Sequence, residues 1–129
     1  MSGAADRPDS PAPAPAPTAA DVGIVAALEI EVGYLIDRLE GVRRYSGAAG
    51  TVVEGVHADK LVAVIVGGVG RVAARNATTT LLDGHRPRWI VSAGFAGALD
   101  PDLRRNDVLL PHEIVVADET GYRVDFTIE

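Results

Sequence analysis

Three short segments combine residue types that could do chemistry, and each follows an apolar run. The first is Ala26-Ala-Leu-Glu-Ile-Glu31. A carboxylate at such a junction can orient or deprotonate a water. The plainer reading of Glu29 and Glu31 is that they complement a helix dipole from its first turn. The second segment is Gly67-Gly-Val-Gly70. Its glycines would let backbone N–H groups approach an anion or a sugar at a helix start. It is not a P-loop, because no Gly-Lys-Ser/Thr follows, and Ala73 breaks a GxGxxG pattern. A tight turn without a ligand explains it equally well. The third is Ser92-Ala-Gly-Phe-Ala-Gly-Ala-Leu99. Small residues around Phe95 describe a place where backbone comes close to something flat, on which Phe95 could stack. A close strand–helix crossing is the even alternative. No nucleophile stands between its glycines, so it is not a Gly-x-Ser-x-Gly elbow. His57, His85 and His112 lack ligand-like spacing and read as loop or surface residues. Asp107 and Asp118 read as turn or cap residues. No metal site and no cofactor is expected.

The elements that must position these segments follow from hydrophobic period. Val22 to Ala27 is a continuous apolar run that suits a strand buried on both faces. Glu29 to Glu40 reads as a helix, with Val32, Leu35, Ile36 and Leu39 at helical spacing and Gly41 as its stop. Thr51–Glu54 and Leu61–Val66 read as a hairpin around the polar connection 55–60. Val72, Ala73, Ala77, Leu81 and Leu82 mark a second helix that ends near Gly84. Trp89–Val91, Val108–Leu110 and Ile114–Val116 are further strand candidates, with one more over 123–128. Strands alternating with helices argue an α/β fold with a largely parallel sheet, to which the hairpin adds an antiparallel piece.

Composition narrows the classes. The chain has 129 residues and no cysteine, which excludes disulfide scaffolds and Cys-ligated metal centres. A formal net charge of −6 leaves no basic field for phosphate backbones, so nucleic-acid binding is not expected. No run approaches the roughly 18 apolar residues of a membrane span. Residues 1–21 carry Pro11-Ala-Pro-Ala-Pro-Ala-Pro17 and read as a disordered, extended tail; 22–129 read as the domain. Asp6, Asp9 and the prolines are incompatible with a secretory signal, and the absence of cysteine fits a cytoplasmic location.

Taken together, the order and spacing of the segments are specific. A strand running into Ala-Leu-Glu-Ile-Glu-Val, then Gly-Gly-Val-Gly-Arg-Val-Ala-Ala, then Ala-Gly-Phe-Ala-Gly-Ala-Leu, then Asn-Asp-Val-Leu-Leu resembles the nucleoside phosphorylase/nucleosidase superfamily over about Val22 to Ile128. Within it the chain looks most like the methylthioadenosine/S-adenosylhomocysteine nucleosidases and the futalosine hydrolases. The resemblance implies a three-layer α/β/α phosphorylase-like fold, incomplete at the C-terminus. It implies hydrolysis of a purine nucleoside, and a homodimer when complete. The family's water-activating glutamate falls on Glu31, with Ala27 beside it on the substrate side. Val69 falls on the apolar wall of the ribose and 5′-substituent pocket, and Phe95, Ala96 and Gly97 on the sugar and base side.

Two departures from the family pattern matter. Phe95 replaces a serine whose hydroxyl helps phosphorylases bind phosphate, which argues for water as the nucleophile. Asn106 replaces a glycine, and Asn also tolerates a left-handed backbone. Family members are longer, and their second half supplies ribose contacts and the aspartate that protonates the leaving purine. Each general acid–base step contributes about 10²–10⁴-fold. This chain is therefore expected to be an N-terminal half, weakly active or inactive alone, and marginally folded or partner-bound. A phosphorylase of the same superfamily, or a non-catalytic remnant that binds a nucleoside or pairs with a partner subunit, are the alternatives.

Overall fold

The computed structural model describes residues 19–127. The expected tail 1–21 thus lies almost wholly outside the described residues. The chain divides into two compact units at Phe95/Ala96. The first unit holds β1 (Val22–Ala26), α1 (Glu29–Ile36), β2 (Glu40–Gly47), β3 (Gly50–His57), β4 (Lys60–Val66), α2 (Arg71–His85) and β5 (Trp89–Ser92). Its five strands form one sheet in the order β2-β3-β4-β1-β5. β4, β1 and β5 run parallel, with Ile24 opposite Val64 on one side and Val91 on the other. β2, β3 and β4 are antiparallel.

Strand alternation sorts the core into two layers. Ile24, Val53, Val62 and Val64 pack on one face with Val32, Ile36 and Leu39 of the α1 region. Val25, Val52, Ala63 and Ile65 pack on the other face with Ala77 and Leu81 of α2. The helices therefore cover opposite faces of the sheet, the α/β/α layering expected. Val64, Ile65 and Leu81 are fully buried.

Three sequence expectations need correction. The first helix ends at Ile36, not Glu40. Arg38 and Leu39 donate to the carbonyls of Leu35 and Ile36, three residues back, and this tight turn carries Leu39 into the same core as Ile36. An i, i+3 repeat is common to a helix and to such a turn, so the spacing alone could not separate them. The residues after it form β2, an edge strand the sequence did not announce: Arg43, Arg44 and two glycines mask it, and charge is what exposed sheet edges carry. Finally, Val108–Leu110 is not a strand; it is irregular and exposed, and no described strand pairs with it.

The second unit contains an antiparallel hairpin of β6 (Glu113–Asp118) and β7 (Gly121–Thr127). Asp118 closes its turn by accepting from Thr120 N–H at 2.8 Å, and Asp107 accepts from Arg104 N–H at 2.8 Å. Both aspartates are thus turn residues, and Asn106 has the left-handed φ of 74°.

Candidate active site

The first two segments and residues 92–95 of the third meet at the C-terminal ends of the parallel strands, where open α/β sheets bind ligands. Backbone hydrogen bonds continue the ladder past the strand ends. Gly67 N–H donates to Ala26 O (3.0 Å), Gly68 N–H to Ala27 O (3.1 Å) and Ala93 N–H to Val25 O (2.9 Å). Between them lies a cleft of about 320 Å³, bordered by Ala27, Glu31, Gly68, Gly70, Ser92 and Phe95 among others. Gly68 and Gly70 have φ of 94° and 106°, so the turn between β4 and α2 needs residues without a Cβ.

Glu31 is the one ionisable group among the described residues that line this cleft, and its carboxylate is held from three directions. Oε2 accepts from the N–H groups of Ala27 (3.1 Å) and Leu28 (3.0 Å). Oε1 accepts from Phe95 N–H (3.2 Å), which is 64 residues away in sequence. The Leu28 bond is the acidic half of a capping box, made by the third residue of α1. The Phe95 bond has no part in capping. The N–H groups of Leu28 first and then Phe95 lower the Glu31 pKa below the ordinary carboxylate value; desolvation opposes them and Ala27 N–H adds to them. A carboxylate has about two acceptor positions on each oxygen. Oε2 is filled by its two amides, while Oε1 retains one acceptor position that could take a water, on a carboxylate whose ionised form these amides favour. Glu29, by contrast, is exposed and faces Arg44 at 3.4 Å.

The structure gathers Ala27, Glu31 and Phe95 around one cleft, with the Phe95 side chain exposed at its border. Val69 is not among its lining residues. It borders a separate depression with Ala49, Val72 and Asn76, although its neighbours Gly68 and Gly70 both border the Glu31 cleft. Ala96 and Gly97 open the second unit and are exposed. Among the described residues, no three His, Cys, Asp or Glu side chains cluster as a metal ion would need. No described helix is long and apolar enough to cross a membrane.

A second polar group lies under the opposite face. His57 and His112 are exposed as expected, but His85 is only 3% exposed and corrects the reading of all three as loop or surface residues. Its Nε2 lies 2.5 Å from the Tyr45 hydroxyl and 3.0 Å from Oε2 of the buried Glu54, whose other oxygen pairs with Arg43. Tyr45 also donates to Glu54 at 3.3 Å. The signal was present in the spacing: Ala77, Leu81 and His85 recur every four residues, so the buried stripe of α2 ends on the histidine.

Residues 21–127 match the phosphorylase superfamily, and the chain belongs to that superfamily. It is 37% identical over 93 residues to the 5′-methylthioadenosine/S-adenosylhomocysteine nucleosidase of Tolumonas auensis, covering 72% of this chain and 40% of that protein. It is 33% identical over 107 residues to the nucleosidase of the same name from Staphylococcus aureus, covering 81% and 47%. Among solved structures it resembles the Neisseria meningitidis nucleosidase in complex with methylthio-immucillin-A, at 28% identity and a TM-score of 0.70 over 75% of this chain and 42% of that one. The Colwellia psychrerythraea nucleosidase in complex with adenine gives 29% identity and a TM-score of 0.71, over 80% and 43%. The chain spans less than half the length of each of these relatives.

Proposed function

We propose that this chain provides the water-activating side of a purine-nucleoside hydrolase site, of the methylthioadenosine/S-adenosylhomocysteine nucleosidase type. The observation that carries the reading is the clamped Glu31 carboxylate, which keeps one acceptor position on Oε1 in a cleft at the strand ends. A water held there is aimed at C1′ of a ribose. As its oxygen bonds to C1′, the bond from C1′ to the purine breaks, the purine leaves with that electron pair and takes a proton from a second general acid, and the water's proton passes to the Glu31 carboxylate. Ala27 and Phe95 border the substrate, and Phe95 leaves no hydroxyl with which to hold phosphate. Futalosine, whose base is also purine-derived, belongs to the same substrate class. The proposal includes a homodimer, a cytoplasmic location, and no cofactor or metal.

Product analysis separates this from the phosphorylase reading. A polypeptide carrying both halves of the fold, with this chain as the N-terminal half, is incubated with 5′-methylthioadenosine with and without excess phosphate. Free adenine and the free 5-methylthio sugar are expected under both conditions. A sugar 1-phosphate would overturn the assignment of water as nucleophile. Binding with no product under either condition would favour the non-catalytic alternative.

A further inference from the structure

We infer that Gly94 is a positioning residue for Glu31: its missing side chain leaves the space that lets the backbone after β5 reach the carboxylate and fix Oε1. A Cβ placed on Gly94 would lie 3.1 Å from Glu31 Oε1 and 3.5 Å from its Cδ. Oε2 follows at 3.7 Å, so the three nearest atoms outside the adjoining residues all belong to Glu31. Among the described residues, chain neighbours aside, the group nearest to a side chain at this position is therefore the carboxylate itself.

Backbone conformation does not require the glycine. Gly94 lies outside the left-handed region that Gly41, Gly50, Gly68, Gly70 and Gly121 occupy, and it is exposed. Alanine at such a site ordinarily stabilises a protein by restricting the unfolded chain. Glycine here gives up that gain and keeps room for one functional group. The next residue, Phe95, donates the single N–H that Oε1 accepts. The carboxylate sits at the end of a flexible side chain, so a methyl at 94 would be accommodated by moving Oε1 a few tenths of an ångström. That movement lengthens a hydrogen bond already at 3.2 Å toward the limit of useful geometry. The fold is spared and the carboxylate is displaced. The catalytic meaning of Gly94 rests on the proposed role of Glu31, but the geometric claim stands on its own.

The test uses the 129-residue chain and NMR. In the parent protein the Glu31 side-chain carboxyl ¹³C is expected to titrate below the usual glutamate range, and the Phe95 amide proton to titrate with it. Glu31→Gln abolishes both titrations, which identifies the group. In Gly94→Ala the Phe95 amide is expected to lose its pH-dependent downfield shift and the Glu31 midpoint to rise toward the ordinary value. The melting temperature should stay within about 4 °C. A folded Gly94→Ala with unchanged Glu31 and Phe95 titrations overturns the inference, and so does a variant that loses its dispersed amide spectrum. In a polypeptide carrying both halves of the fold, Gly94→Ala is expected to lower kcat at least tenfold with KM within twofold. An unchanged kcat alongside the NMR effect would refute the role of Glu31 and leave the positioning intact.

Discussion

Replacing Tyr45 with phenylalanine tests the buried polar group under the sheet. The substitution removes one oxygen and keeps the ring stacked on His85, whose centroid is 6.0 Å away at an interplanar angle of 14°. The hydroxyl contacts His85 Nε2 at 2.5 Å and Glu54 Oε2 at 3.3 Å. His85 Nε2 retains Glu54 at 3.0 Å, so no buried donor is newly stranded. The loss should therefore follow from the hydrogen bonds alone, about 1–2 kcal/mol. For a domain of this size that corresponds to roughly 5–10 °C in melting temperature.

A second signature is pH. Burial first, then the Glu54 carboxylate beside it, pushes the Tyr45 phenol up to about 12. The fold thus favours the neutral phenol more than the unfolded chain does. Its contribution is complete below the ordinary tyrosine value near 10 and is lost as pH rises from there to about 12. Background is small, since Lys60 is the only lysine and Tyr34 and Tyr122 are the only other tyrosines. Urea unfolding followed by circular dichroism at pH 7, 9 and 11 reads both effects. Tyr45→Phe should be less stable at pH 7 and lose less between pH 9 and 11. Coincident midpoints at pH 7, or equal alkaline losses, would refute the reasoning.

Leu81→Ala removes a fully buried side chain from the face shared with Val25 and Ile65, and should cost about 2–5 kcal/mol in the same urea assay. Leu82→Ala, on an exposed position one residue later, should cost under about 1 kcal/mol, and a reversed order would contradict the assignment of faces. The β3–β4 turn places Ala58 and Asp59 at φ of 48° and 61°, the two left-handed positions of a type I′ hairpin. Ala58→Asn with Asp59→Gly should stabilise the chain by about 1 kcal/mol, read as a higher unfolding midpoint.

What could be read from the sequence was what local pattern dictates. The apolar runs of β1 and β4 and the spacing of Ala77 and Leu81 on α2 are each self-sufficient signals, because burial on one face leaves a period. The candidate site was legible as three strand-end segments, and the structure joins Ala27, Glu31 and Phe95 around one cleft. β2 was not legible, because an edge strand with one covered side and two arginines has no hydrophobic period of its own. The tight Ala58–Asp59 turn was hidden because neither residue is the Asn or Gly such turns prefer. Val108–Leu110 has strand composition, but a strand also needs a partner, which composition cannot supply. The Glu54–His85–Tyr45 group was missed for a similar reason: each residue sits on a different element, and only the packing of α2 over β2 and β3 brings them together.

The central claim is that Glu31, and not its exposed neighbour Glu29, activates the attacking water. The most direct measurement is adenine release from 5′-methylthioadenosine by Glu31→Gln and Glu29→Gln variants of a polypeptide carrying both halves of the fold. Glu31→Gln should lower kcat by about 10²–10⁴-fold with little change in KM, as expected for loss of a general base. Glu29→Gln, which gives up only a surface contact to Arg44, should stay within about twofold. Similar losses in both variants, or near-normal turnover by Glu31→Gln, would contradict the account.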